Sequence, residues 1–306
     1  MAAGDVHEVT TGECMDLYYV DTGMYDVDGY GAVYVIDDDR PAVVDTGIGT
    51  NHERVLDAIE SVGIDREELD VIAPTHVHLD HAGGAGYLAE ACPNAEVYVH
   101  RIGAPHLVDP SRLVEGTKRA VGDQWEFYVE PRPVPEGRIV EIEGGDRIDL
   151  GTHELIAHHA PGHAPHQVVF EDPANDAVFT ADAAGLYVPE LDEVHPTSPP
   201  PNFDLEACLA DIETLRGIDP STLLYAHFGP AGRGDRLDEY EEVISDWVRS
   251  IVAAREELGE DDEAVVERFV AEAVEETGDV WGERKARAET RMNVEGVLHY
   301  LDRQDG

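Results

Sequence analysis

The sequence predicts an α+β fold followed by a helical C-terminal extension. Three observations carry this expectation. Short apolar runs recur before Gly234, twice paired as hairpins across Asp- and Pro-containing turns. Between them lie stretches whose apolar residues repeat at helical spacing. After Gly234 the short runs stop and only the helical period continues.

Residues 17–20 open the fold as a strand, and 25–30 form a Gly/Asp loop. Residues 32–36 and 42–44 pair across the turn 37–41, the first hairpin. Val55, Leu56, Ile59 and Val62 share one face of a helix over 51–62. A buried strand at 69–73 ends at Pro74, a short helix spans 87–92 before Pro93, and 96–100 is another strand. Residues 101–136 look irregular, with Leu107, Leu113, Trp125, Phe127 and Tyr128 as apolar anchors. A loop of that length is functional or a surface excursion. Residues 167–170 and 177–179 form the second hairpin, which leads to Asp182 as the first leads to Asp45; the parallel suggests a duplicated sheet-and-helix half. A second long loop covers 185–201, with Tyr187 able to reach a pocket. Residues 205–215 form a helix, and a strand then runs to His227. Helical segments at 237–258, 264–274 and 293–301 complete the chain.

Composition narrows the class. With 66 acidic and 21 basic residues the net charge is −45, and Lys118 and Lys285 are the only lysines. The charge is spread through patterned elements, so it belongs to a folded surface. No basic patch exists to neutralise phosphates, which argues against nucleic acid. No apolar run reaches the length of a membrane span, and residues 1–10 lack the pattern of a signal peptide. Cys14, Cys92 and Cys208 are odd in number and widely spaced, as expected of buried thiols in a reducing cytoplasm.

The chemistry concentrates at His76, His78, Asp80 and His81. On a regular helix the three imidazoles would not share a face, so the cluster is expected on the loop leaving the 69–73 strand. Neutral imidazole suits zinc and iron, and carboxylate suits divalent ions generally. One loop cannot complete two metal shells. Three further donors, His163, Asp182 and His227, each lie just past an apolar run. The set holds five histidines and two aspartates.

Five stretches in order, Val43-Val44-Asp45-Thr46-Gly47, the 76–81 cluster, His163, Asp182 and His227, resemble the motifs of metallo-β-lactamase-fold hydrolases, and the chain is similar to their glyoxalase II-like branch over about residues 15–232. The resemblance implies an αββα four-layer sandwich over 1–234, with 235–306 as a helical extension packed on it. It implies one metal held by His76, His78 and His163, a second by Asp80, His81 and His227, and Asp182 bridging them. The ions would be two divalent metals, zinc first, with Fe2+ and Mn2+ as alternatives. Asp80 and Asp182 would be the catalytic carboxylates, and Asp45 would orient the loop rather than bind metal. The expected His158, His159 and His166 roles are supporting or structural.

The implied activity is hydrolysis by a metal-bound hydroxide of a small ester, thioester, lactone or phosphoester. An aspartate at 182, where many antibiotic-cleaving members have cysteine, argues against β-lactams. Ala181 departs from the glycine usual before that aspartate. The alternative on the same scaffold is a mononuclear iron persulfide dioxygenase using His76, His78 or His163, and Asp182. A small-molecule substrate, no nucleic acid, no membrane and a possible homodimer are the expected partners. The acidic composition resembles that of cytoplasmic proteins from extreme halophiles.

Overall fold

The computed structural model describes residues 3–259 and 261–305; residues 1, 2, 260 and 306 of the two expected units lie outside the described residues. The first sheet runs in chain order: β1 (Val6–Glu8), β2 (Leu17–Asp21), β3 (Ala32–Ile36), β4 (Ala42–Val44), β5 (Val71–Ala73), β6 (Glu96–His100) and β7 (Ile139–Ile142). Pairs β1 to β4 are antiparallel and β4 to β7 parallel. The second sheet uses β8 (Arg147–Asp149), β9 (Glu154–His159), β10 (Val168–Asp172) and β11 (Ala177–Ala181). A separate small hairpin, β12 (Leu186–Val188) with β13 (Glu193–His195), follows. Then β14 (Thr222–Tyr225) and β15 (Pro230–Gly232) complete the second sheet, in the order β15-β14-β11-β10-β9-β8.

Strand β3 shows why the layers form. Val33 and Val35 share a core with Val55, Leu56 and Ile59 of α1 (His52–Ser61) and with Leu88 of α3 (Ala85–Ala91). Ala32, Tyr34 and Ile36, one step out of phase, pack with Phe170 and Phe179 of the second sheet. A strand buried on both faces reads as a continuous apolar run, because its two periods-of-two are both apolar. The opposite face of the second sheet, through Val169, Val178, Leu223 and Tyr225, meets α6 (Leu205–Ile218) and α7 (Arg236–Leu258). Helices α8 (Asp262–Trp281) and α9 (Glu283–Asp305) join that same cluster through Val266, Phe269, Val294 and Val297. The result is helix, sheet, sheet, helix, the αββα sandwich.

Four expectations need correction. The 101–136 region is helical, with α4 (Ala104–Val108) and α5 (Ser111–Val121) followed by a 3-10 segment over Gly122–Phe127. Only Val114 of α5 is fully buried, so few apolar positions marked the period. Tyr187 faces away from the pocket: its hydroxyl donates to Asp192, and Arg236 lies over its ring at 4.1 Å. Cys92 and Cys208 are buried as expected, but Cys14 is only half-buried. The extension helices α8 and α9 also begin earlier than their apolar stripes indicated.

Candidate metal centre and its pocket

All seven predicted donors come from the ends of strands or the turns beyond them. Strand β5 delivers His76 and His78, but Asp80 and His81 sit on a single helical turn, α2 (Leu79–Ala82), capped by His78. The cluster is thus half loop and half helix, and the change of backbone at residue 78 lets all four side chains converge. His163 follows a turn clamped by α6: Gly162 donates its N–H to Asp211 (2.7 Å), and its carbonyl accepts from Asp204 (2.9 Å), the α6 N-cap. A Cβ at Gly162 would come within 2.3 Å of the Cys208 backbone nitrogen, so only glycine permits this approach. Asp182 follows a register shift between Phe179 and Ala181, and Ala181 itself has φ 48°. That left-handed conformation costs a non-glycine residue about 1–2 kcal/mol. It turns the chain out of β11 and aims Asp182 at the histidines.

Asp182 is the meeting point. Its Oδ2 lies 3.2 Å from His81 Nε2, 3.2 Å from His163 Nε2 and 3.6 Å from His76 Nε2, while Oδ1 lies 3.5 Å from His227 Nε2. His163 Nε2 is 3.0 Å from His78 Nδ1. Among the described residues, the groups whose donor atoms approach closely enough to hold an ion are His76/His78/His163, His76/His81/Asp182 and Asp80/His81/His227. The first and third are the two shells implied by the motifs, and Asp182 stands between them.

The outer ring nitrogens are held by hydrogen bonds. Asp45 accepts from the Thr75 N–H and hydroxyl (2.8 Å each) with one oxygen and lies 3.0 Å from His81 Nδ1 with the other. The Thr75 hydroxyl, committed as a donor to Asp45, accepts from His76 Nδ1 (3.2 Å). His227 Nδ1 donates to the Tyr30 carbonyl (3.0 Å), and His163 Nδ1 meets the Thr197 hydroxyl (2.6 Å). Four imidazoles therefore turn Nε2 inward. This is how carboxylates, hydroxyls and carbonyls fix ligand tautomers around metals.

Inside, apart from the His163–His78 contact, pairing is incomplete. His76 Nε2, His81 Nε2 and Asp182 Oδ1 are buried and have no hydrogen-bond partner. Buried polar atoms left unpaired cost roughly 1–3 kcal/mol each, and here they converge on one point. Electrostatics agree with the geometry. Burial pushes His163 down to about 3 and His76 well below the ordinary histidine value, so both imidazoles are neutral. Burial alone would raise Asp182, but His163 and His81 hold it well below the ordinary aspartate value. Burial would likewise lower His81, yet Asp182, Asp45 and Asp80 carry it well above 6.5. Neutral His76 and His163 beside an ionised carboxylate suit a divalent cation, and such an ion would take the place of the proton that Asp182 and Asp45 otherwise hold on His81.

A pocket of about 240 Å³ opens over this centre. One wall is α5, through Arg112, Leu113, Gly116 and Thr117; another is α9, through Lys285, Glu289, Met292 and Asn293. Sequence reasoning missed the α9 wall. Lys285 is 6% exposed, donates to Glu289 (2.8 Å), and lies 3.7 and 4.4 Å from the ring centres of Tyr25 and Tyr30. The signal was present: one of only two lysines, with Glu289 and Asn293 at successive four-residue steps on one helix face. Thr197 carried no such mark. Of the flanking histidines, His166 lines the pocket and accepts from the Val77 N–H (3.4 Å), whereas His158 pairs with Glu171 and His159 stacks on His100.

The family described as the metallo-beta-lactamase superfamily matches residues 26–227. The chain is 27% identical over 222 residues to the metallo-beta-lactamase fold-containing protein ST1585 of Sulfurisphaera tokodaii, covering 71% of this chain and 79% of that protein. It is 27% identical over 172 residues to an N-acyl homoserine lactonase of Bacillus thuringiensis, covering 55% of this chain and 58% of that one. The solved structure of ST1585 superposes with a TM-score of 0.71 over 93% of this chain and 99% of that chain, at 21% identity. BJP-1, a subclass B3 metallo-beta-lactamase of Bradyrhizobium japonicum, gives a TM-score of 0.59 at 20% identity, covering 82% and 95%.

Proposed function

Starting from a chain that belongs to the metallo-beta-lactamase superfamily, we propose that it is a dinuclear metallohydrolase acting on a small carboxylic ester, thioester or lactone. The observation that carries this is the pair of donor triads meeting at Asp182 around buried, unpartnered His76 Nε2, His81 Nε2 and Asp182 Oδ1. His76, His78 and His163 would hold one ion and Asp80, His81 and His227 the other, with Asp182 between the two sets as a ligand available to both. Nitrogen and carboxylate donors without sulfur suit zinc, with Fe2+ or Mn2+ as substitutes. Two such ions supply a nucleophile from water near neutral pH and polarise the substrate's carbonyl oxygen.

The chain's own residues do the rest. Asp45 and Thr75 keep His81 and His76 in register, and Thr197 steadies His163. Asp80 has a side chain 28% exposed, unlike the buried His81 beside it. Burial would raise its carboxyl, but His81, His227 and His78 hold it below the ordinary aspartate value, so it faces the pocket ionised. Tyr25, Tyr30 and Tyr128 close the inner wall; burial raises all three phenols well above their ordinary value, so they remain protonated. The free volume fits a compact acyl group. A lactonase among the relatives supports the ester and lactone classes, and phosphoesters are the less supported substrates. A mononuclear iron dioxygenase would leave the Asp80/His81/His227 triad unused.

Elemental analysis of protein purified in molar salt, paired with an ester, thioester and lactone panel, tests this. Two divalent ions per chain, with hydrolysis lost on chelation and restored by Zn2+, is the expected result. One tightly held iron that survives His227→Ala would overturn it.

A further inference from the structure

Helix α9 touches the surroundings of the candidate metal centre through one buried carboxylate. Glu289 is 6% exposed and accepts from three donors. Its Oε2 takes Lys285 Nζ at 2.8 Å and the Tyr30 hydroxyl at 3.3 Å, and its Oε1 takes Asn293 Nδ2 at 3.2 Å. An ionised carboxylate only accepts, so it satisfies all three at once. An amide in its place would have to turn its own N–H groups toward one of these donors.

Two of the three partners lead on to metal-facing histidines. The backbone carbonyl of Tyr30 accepts from His227 Nδ1 (3.0 Å), and its ring centre lies 4.9 Å from that imidazole. Asn293 is fixed in orientation, because its Oδ1 accepts the Ser198 N–H at 2.6 Å. Its backbone carbonyl also accepts from the Ser198 hydroxyl at 2.9 Å. A Cβ at Gly296 would fall 1.7 Å from the Ser198 carbonyl oxygen, so α9 lies backbone to backbone on this loop. Ser198 directly follows Thr197, whose hydroxyl meets His163 Nδ1 at 2.6 Å. Tyr30, Asn293, Ser198 and Thr197 are all buried. A buried polar network with its bonds made holds its members in one arrangement.

We propose that Glu289 is a positioning residue for both halves of the metal centre. It steadies His227 through Tyr30, and His163 through Asn293, Ser198 and Thr197. His163 belongs to one donor triad and His227 to the other, so a single carboxylate on the C-terminal helix governs how firmly both are held. Lys285 balances its buried charge. The proposal rests on the two-ion reading above, and its test therefore includes a measurement made without metal.

In the metal-free full chain, NMR follows the Nδ1–H protons of His163 and His227, assigned by their loss in His163→Ala and His227→Ala. Competition with a chelator then gives the Zn2+ affinities. Tyr30→Phe keeps the backbone carbonyl and removes the hydroxyl; it should move the His227 proton, leave that of His163, and weaken one ion. Asn293→Ala should do the reverse. Glu289→Gln should move both protons and weaken both ions about three- to tenfold, less than the about 10- to 100-fold typical of a ligand's direct partner. Protons and affinities unchanged in Glu289→Gln overturn the proposal. So does equal movement of both protons in each single-arm variant, which would mean a general loosening of the fold. If Glu289→Gln does not fold, unmoved protons in Tyr30→Phe and Asn293→Ala are sufficient to overturn it. A wild type that takes up fewer than two ions would refute the dinuclear reading, and the proton pattern would still decide the role of Glu289.

Discussion

At the residue scale, Asp182 is the side chain on which both donor sets depend. Asp182→Asn keeps the volume and removes the charge, leaving a neutral amide where the proposed dinuclear centre would need a carboxylate between two dications. Metal content should fall by at least one ion per chain, and kcat/KM should drop by several orders of magnitude, whereas His227→Ala should empty mainly one position. Elemental analysis beside hydrolysis rates separates the two variants; an Asp182→Asn protein that keeps two ions and full activity would refute the assignment. Asp45 acts one bond further out. Asp45→Ala frees Thr75 and His81 together, and metal affinity should fall about 10- to 100-fold, read by competition with a chromogenic chelator. These donors were legible because each stands just past an apolar run, where side chains leave the sheet. Thr197 and the Tyr30 carbonyl were not, because ordinary residues gain such roles only when folding brings distant segments together.

At the element scale, the turn bearing His163 depends on α6. Burial pushes the Asp211 carboxyl up to about 7, although it accepts the Gly162 N–H. The folded chain thus holds this proton more tightly than the unfolded chain. Asp211 favours folding fully below about pH 4, and that contribution is lost as the pH rises through about 7. Asp211→Asn keeps an acceptor for Gly162 and cannot ionise, so its advantage over wild type should grow on the order of 2–4 kcal/mol between about pH 5 and pH 8.5. Thermal melts at the two pH values measure it; parallel shifts would count against the account. Strands with two apolar neighbours, such as β3, were readable from sequence. Helix α5 was not: Pro110 and Gly122 bound it, Gly116 interrupts it, and its exposed face is polar. Strands β7 to β9 were hidden for a related reason, since charged residues such as Arg147 and Glu154 alternate through them.

Over the whole molecule, charge dominates. Single arginines serve several acids at once: Arg216 meets Glu213, Asp238 and Glu241, and Arg291 meets Glu263, Glu267 and Glu295. Even so, the net charge is −45. At about 0.1 M salt repulsion reaches about 10 Å, and at molar salt about 3 Å. The protein should therefore lose stability and activity on dilution from about 3 M to about 0.1 M salt; equal melting temperatures would sink the idea. Among the described residues no helix is long and apolar enough to cross a membrane. Truncation before Leu237 should be as damaging as dilution, because α7 to α9 share one core with the second sheet. A soluble, fully active truncated chain would disprove that dependence.

The α9 wall has a further consequence. Lys285, Glu289, Met292 and Asn293 stand outside the 26–227 stretch matched by the family, yet they face the same pocket as His163 and Asp182. One wall of the pocket is therefore written outside the stretch that carries the candidate donors, while α5 supplies another from within it. Mutational drift along one C-terminal helix can reshape the pocket without touching a single candidate donor atom.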